Sequence, residues 1–140
     1  TKVFPDADLP RAVCTTGIEP LLAFTDREGF HDALRGHLLE LAAKVGGTIG
    51  VICPPSLKAE VQLFAMRDPR LAAFEDRIIV VTALQAKGLE YDGVLVVSPD
   101  AIVAEAPGGA RVLYVALTRA TQRMVTLDVD TQAWRALLAP

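Results

Sequence analysis

The sequence lacks every glycine signature with which a chain holds phosphate by itself: there is no Gly-x-x-x-x-Gly-Lys-Ser/Thr, and no Gly-x-Gly-x-x-Gly after any stretch that reads as a strand. A fold without such a loop builds no nucleotide cradle of its own. Gly-x-Ser-x-Gly is also missing, which excludes the sharp turn that exposes a hydrolase serine. Cysteine is scarce. Cys14 and Cys53 form no Cys-x-x-Cys and have no histidine pair beside them, so they read as small buried apolar groups of a reduced protein rather than as a disulfide or zinc site. His31 and His37 stand six apart, a spacing that does not aim two helical side chains at one ion; both read as helix-surface residues, and no metal site is predicted.

Long apolar runs are absent as well. The longest, Ile78 to Val81 and Val94 to Val97, fall far short of the roughly 20 residues that span a bilayer, and the N-terminus carries no charged segment followed by an apolar signal core. The expectation is a soluble, cytoplasmic protein with no membrane partner. Nor is there an excess of positive charge: 14 Lys and Arg against 17 Asp and Glu give a net charge of −3. That balance provides no basic field for a free-standing nucleic-acid binder.

What is present suits one domain, since 140 residues at 51% hydrophobic content can bury a sizeable core. Residues 1–20, with Pro5, Pro10, Gly17 and Pro20, read as an extended lead-in, and 21–140 as a single domain. Pro20 to Phe24 reads as a first strand. Thr25-x-x-Glu28 has capping-box spacing and predicts a helix from Asp26 to about Lys44, with Phe30, Ala33, Leu34, Leu38, Leu41, Ala42 and Val45 inward. Arg35, Glu40 and Lys44 would face water, and Gly46-Gly47 would supply a left-handed stop. Thr48 to Cys53 reads as a strand buried on both faces, and Ser56 as the cap of a helix over 57–66 ended by Asp68-Pro69. Further strands are predicted over 77–82, 93–98 and 124–129, the last alternating, with helices over 110–120 and 132–138. Strands separated by helices imply parallel pairing, and the fold class is a three-layer α/β/α parallel sheet.

Two segments carry candidate chemistry. Lys87-Gly88-Leu89-Glu90 follows the third strand and is expected at the carboxyl edge of the sheet, where such folds present ligands. Gly88 permits close backbone approach or a positive φ, Lys87 offers a mobile charge, and Glu90 accepts from hydroxyls or pairs with a cation. A plain turn with solvated Lys and Glu explains the same residues. Arg119 is expected in the last turn of the 110–120 helix, where a cation suits the helix dipole and can cap free carbonyls. The alternative is an arginine aimed across an interface at a phosphoryl group in transfer. Tyr114 and Val115 read as packing, and Arg111 and Arg123 as solvated.

Taken together, Thr82-Ala-Leu-Gln-Ala-Lys-Gly-Leu-Glu-Tyr91 and Leu113-Tyr-Val-Ala-Leu-Thr-Arg-Ala120 resemble motifs V and VI of the UvrD/Rep-type superfamily 1 helicases, with the likeness running over residues 77–129. The resemblance implies the second, C-terminal RecA-like domain of an ATP-dependent DNA helicase. It gives Arg119 the γ-phosphate contact, Glu90 the ribose contact and Gly88 the backbone beside the phosphates, with Lys87 in the same ATP site. Thr82 and Gln85 would face single-stranded DNA. One departure stands out, because Leu84 occupies the place of the family's histidine. A residue other than histidine there resembles the HelD branch of helicase IV-like proteins, some of which bind RNA polymerase and use nucleotide hydrolysis to release it from nucleic acid. No Walker A, Walker B or arginine-bearing motif IV is recognisable in residues 1–76. The resemblance therefore implies a piece of a larger protein, inactive alone. ATP and Mg2+ would be held mainly by the N-terminal RecA-like domain of the same polypeptide.

Overall fold

The computed structural model describes residues 20–138. The lead-in expected over 1–20 and the expectation for Cys14 lie outside those residues, Pro20 apart. The elements run β1 (Leu21–Thr25), α1 (Phe30–Lys44), β2 (Ile49–Cys53), α2 (Pro55–Arg67), β3 (Ile78–Thr82), α3 (Ala83–Ala86), β4 (Tyr91–Val97), α4 (Pro99–Glu105), α5 (Gly109–Leu117) and β5 (Ala120–Val129). Short 3-10 turns cover Ala72–Phe74 and Ala133–Leu138. Five strands form one sheet in the order β1-β5-β4-β2-β3, and every pairing is parallel.

Period-two alternation sorts the strand side chains into two cores. Leu95, Val97, Val51 and Leu127 meet Phe30, Leu34 and Leu38 of α1 and Val61 of α2. Val94, Val96, Ile52 and Met124 face the opposite way, onto Ala83, Ala86, Ile102, Leu113, Ala116 and Trp134. Helices on both faces explain why all five residues of β2 are buried, as a central parallel strand requires. Cys53 ends that strand fully buried, and burial pushes its thiol up to about 12.

Several boundaries differ from the sequence expectation. Thr25 does not cap α1. Its hydroxyl donates to Asp26 O, the Asp26 carboxylate takes the Gly29 N–H at 2.7 Å, and the turn thus closed delays the helix to Phe30. Gly46 and Gly47 are not left-handed, since the positive-φ glycines among the described residues are Gly88 and Gly108. Gly47 instead clears room for the Asp92 carboxylate, whose oxygen would lie 2.1 Å from an added Cβ. Ser56 is not an N-cap: α2 starts two residues earlier, at Pro55 after the cap Pro54, and Ser56 bonds to Glu105. The helix α4 was not foreseen, α5 stops at Leu117, and the closing segment is a 3-10 turn. The last strand is ten residues long and buried throughout 124–129, because α1 and the Trp134 turn cover its two faces; it does not alternate.

Arg35 does not simply face water. Its Nε donates to Asp68 Oδ2 at 2.7 Å while the Arg70 N–H donates to Oδ1 at 2.8 Å. The Arg35 hydrogen bond holds the Asp68 carboxyl below its ordinary value, as Arg27 and then His31 do for Glu60. A depressed folded-state value means stability that is complete above the ordinary carboxylate range and lost as pH falls through it. Asp68→Asn is expected to lower the melting temperature at neutral pH and to flatten the acid limb of a melting profile taken from about pH 7 to pH 3. An unchanged acid limb would remove Asp68 from that linkage.

Candidate functional site

The segment joining β3 to β4 has to cross β2, and it does so in eight residues. Thr82 and Gln85 close a capping box that starts it: Gln85 N donates to Thr82 Oγ1 at 3.3 Å, and Thr82 N donates to Gln85 Oε1 at 2.9 Å. Thr-x-x-Gln is the sequence signature of this box. Lys58 of α2 also donates to Gln85 Oε1, at 2.9 Å, a contact with no signature in the sequence. Ala83 and Ala86 bury the inner side of α3, while Leu84 stands 67% exposed. The turn then closes through Leu89 N to Ala86 O at 2.9 Å, with Gly88 at φ 82° in open space. Its backbone, not its surroundings, calls for glycine.

Strand register fixes where these residues lie. Thr82 pairs with Cys53 at the carboxyl ends of β3 and β2. Tyr91 lies beyond Gly93, which pairs with Ile49 at the start of β2, so the chain reaches the amino edge by Tyr91. Lys87 to Glu90 therefore carry the chain toward the amino edge, which it reaches at Tyr91, rather than stay at the carboxyl edge expected of them, because α3 has turned the chain back over the sheet. Thr82 and Gln85 lie toward the carboxyl edge and Glu90 and Arg119 toward the amino edge, with Lys87 and Gly88 on the stretch of chain between them.

Arg119 falls with the amino-edge group. It sits past the end of α5, after the cap Thr118, not in the last helical turn. Its backbone carbonyl accepts Tyr91 N at 3.0 Å, and Ala120 pairs with Tyr91, which welds the two motif segments together. The guanidinium spans them: Nε donates to Val115 O at 3.1 Å, Nη1 to Leu89 O at 3.3 Å and Nη2 to Thr118 Oγ1 at 3.2 Å. All three acceptors are neutral. Arg27, Arg35 and Arg135 each pair with a carboxylate, whereas Arg119 has no carboxylate partner among the described residues and keeps its charge uncompensated. Lys87 and Glu90 are exposed and carry no side-chain bond among the described residues. Tyr91 anchors the assembly, with its ring lying where a Cβ on Gly50 would stand 2.6 Å from it. Burial raises its phenol, and the hydroxyl has no hydrogen-bond partner among the described residues.

Among the described residues no three His, Cys, Asp or Glu side chains converge on a metal position, and no helix is long and apolar enough to cross a membrane. Tyr114 packs against the α5 side of the core, and Arg111 and Arg123 are exposed.

A five-stranded, all-parallel sheet with helices on both faces, joined by the short α3 crossing, is an α/β domain consistent with the RecA-like fold. The family model of the UvrD-like helicase C-terminal domain matches residues 77–126. The match runs from β3 into β5 and takes in both motif segments, so over that stretch the chain is similar to a superfamily 1 helicase C-terminal domain. No curated protein matches the chain.

Proposed function

We propose that the chain is the C-terminal RecA-like domain of an ATP-dependent DNA helicase or translocase and supplies one wall of a composite ATP site. The observation that carries this reading is the Arg119 guanidinium, held on neutral acceptors against the Leu89-Glu90 turn with no carboxylate to neutralise it. A guanidinium with no ion pair, bonded to the carbonyl of Leu89 next in the chain to exposed Glu90, suits a ligand that is anionic at one end and rich in hydroxyls at the other. ATP has that form. Arg119 would meet the γ-phosphate, Gly88 the phosphates through its backbone, Lys87 the same anionic end, and Glu90 the ribose.

The phosphate loop and Mg2+ belong to the N-terminal RecA-like domain in this reading, since this chain carries neither a loop of that kind nor a cluster of metal-ligating side chains among the described residues. Closure of that domain on ATP would bring the nucleotide to Arg119, whose planar charge stabilises the transferring phosphoryl group. Thr82 and Gln85 would meet single-stranded DNA at the other edge. The crossing supports coupling between the two, because one short segment, anchored in the core by buried Ala83 and Ala86, runs from Thr82 and Gln85 to Glu90. By itself the chain is expected to lack ATPase activity and to bind ATP no tighter than about micromolar in calorimetry. Sub-micromolar binding would refute the half-site.

A second reading is favoured by exposed Leu84, which offers an apolar surface where the helicase motif has histidine. There the domain docks on RNA polymerase, in the manner of the HelD branch, and reports nucleotide state to it. The full-length protein separates the two. ATPase stimulated by single-stranded DNA, without retention of core polymerase in a pull-down, supports the DNA motor; retention without DNA stimulation supports docking; absence of ATPase under both conditions defeats both.

A further inference from the structure

The carboxyl edge carries a cluster of side chains whose unspent hydrogen-bonding groups are donors. Gln85 Oε1 accepts from the Thr82 backbone and from the Lys58 ammonium, each at 2.9 Å. Neither of those groups can accept, so the atom between them is the carbonyl oxygen and the amide nitrogen faces away. With both lone pairs engaged, the carboxamide has its two N–H groups left to offer. Thr82 is turned the same way, since Oγ1 accepts from Gln85 N at 3.3 Å and no acceptor among the described residues takes its hydroxyl proton. Lys58 keeps two further protons and has no carboxylate partner among the described residues. Glu105, which lines a cleft with Thr82 and Leu84, accepts from Ser56 on both oxygens, on one from the backbone N–H at 3.0 Å and on the other from the hydroxyl.

We propose that Lys58, on the first turn of α2, is a positioning and charge-bearing residue of a phosphodiester-binding site completed by Thr82 and Gln85. This rests on the reading of Thr82 and Gln85 as the nucleic-acid side of the domain. A cluster of donors with one positive charge matches the non-bridging oxygens of a phosphate, whereas base edges present donors as well as acceptors. Leu84, between Thr82 and Gln85 in the turn, adds no hydrogen bond that could read a base. The site therefore holds a strand by its backbone, without sequence preference and without regard to the sugar. Lys58 acts twice: it fixes the Gln85 amide with its N–H groups outward, and it supplies the charge.

The experiment is equilibrium binding of the full-length protein to an oligothymidylate and an oligouridylate of about twenty nucleotides, over a series of salt concentrations. Lys58→Met is expected to weaken both about tenfold and to lower the salt slope by about 0.7, the share of one phosphate contact on a single strand. Lys58→Arg should restore most of the affinity and the slope. Lys58→Gln, which can still bond Gln85 without charge, should lose the slope as Lys58→Met does. Wild-type affinity and slope in Lys58→Met would overturn the proposal, and so would weakening confined to one of the two oligomers. If Thr82→Val and Gln85→Leu weaken binding while Lys58→Met does not, Lys58 is excluded and the nucleic-acid reading stands. If none of these variants weakens binding, or the wild-type protein binds neither oligomer, both fall. Circular-dichroism melts of each variant exclude unfolding as the cause of a loss.

Discussion

Arg119→Ala in the full-length protein is expected to reduce ATP turnover by about a thousandfold, near the lower end of what an arginine on a transferring phosphoryl group supplies. The loss should fall on kcat with a smaller change in KM, because the charge is needed most where the γ-phosphoryl oxygens carry it, in the transition state. The present contacts of Arg119 set the size of any structural effect. Its three hydrogen bonds run to carbonyl and hydroxyl oxygens at 3.1 to 3.3 Å, and no ion pair is broken by removing it. Each neutral bond is worth about 1 kcal/mol net, so the variant should remain folded. Arg119→Lys keeps the charge but loses the planar fork and should recover only part of the rate. A folded Arg119→Ala protein that hydrolyses ATP at the wild-type rate would reduce Arg119 to a cap on α5.

That bland role is real in the structure, which is why the sequence could not decide between the two readings. Nε of Arg119 does cap the carbonyl of Val115, as the helix-dipole argument allows. Arg77 shows the cap alone: its guanidinium donates to Ala42, Val45 and Gly47 carbonyls at the end of α1 and stacks on Phe74. What separates Arg119 is the second segment it touches, Leu89, thirty residues away in the chain. Contacts of that kind come from strand register, and register was legible only in part. The five strands and the α/β/α layering followed from the apolar runs, because β2 is buried throughout between Gly46-Gly47 and Pro54-Pro55 and β4 is buried up to Ser98-Pro99, while β3 is a half-exposed edge strand marked by its β-branched residues. The return of the chain toward the amino edge over Lys87 to Glu90 did not follow, since α3 has four residues, too few to leave a period. Capping spacing misled in one place and went unread in another. Thr25-x-x-Glu28 lost its helix start to the side chain of Asp26, while Thr82-x-x-Gln85 kept its box. Both have the same pattern, and only the neighbouring side chains distinguish them.

Gly109→Ala is expected to destabilise the domain by about 3 kcal/mol, the upper part of the range for overpacking a tight contact. Gly109 opens α5, and an added Cβ would stand 1.8 Å from the carbonyl oxygen of Val103 in α4. The obstacle is backbone, which cannot rotate away as a side chain can, so α4 and α5 must separate. Two other glycines make the cause testable. Gly108, at φ 63° with open space around it, should cost about 1 kcal/mol as alanine through its left-handed conformation alone. Gly36, in α1 with nothing within 4 Å of its Cβ position, should become more stable as alanine by up to about 1 kcal/mol. Urea denaturation of the three variants should thus give one large loss, one small loss and one gain. If Gly109→Ala were no worse than Gly108→Ala, the close packing of α4 on the start of α5 would be wrong. The consequence reaches the site, because α5 ends one cap residue before Arg119. A shifted α5 would move the Val115 carbonyl that holds the guanidinium, and the full-length Gly109→Ala protein should lose ATP turnover even at temperatures where it remains folded.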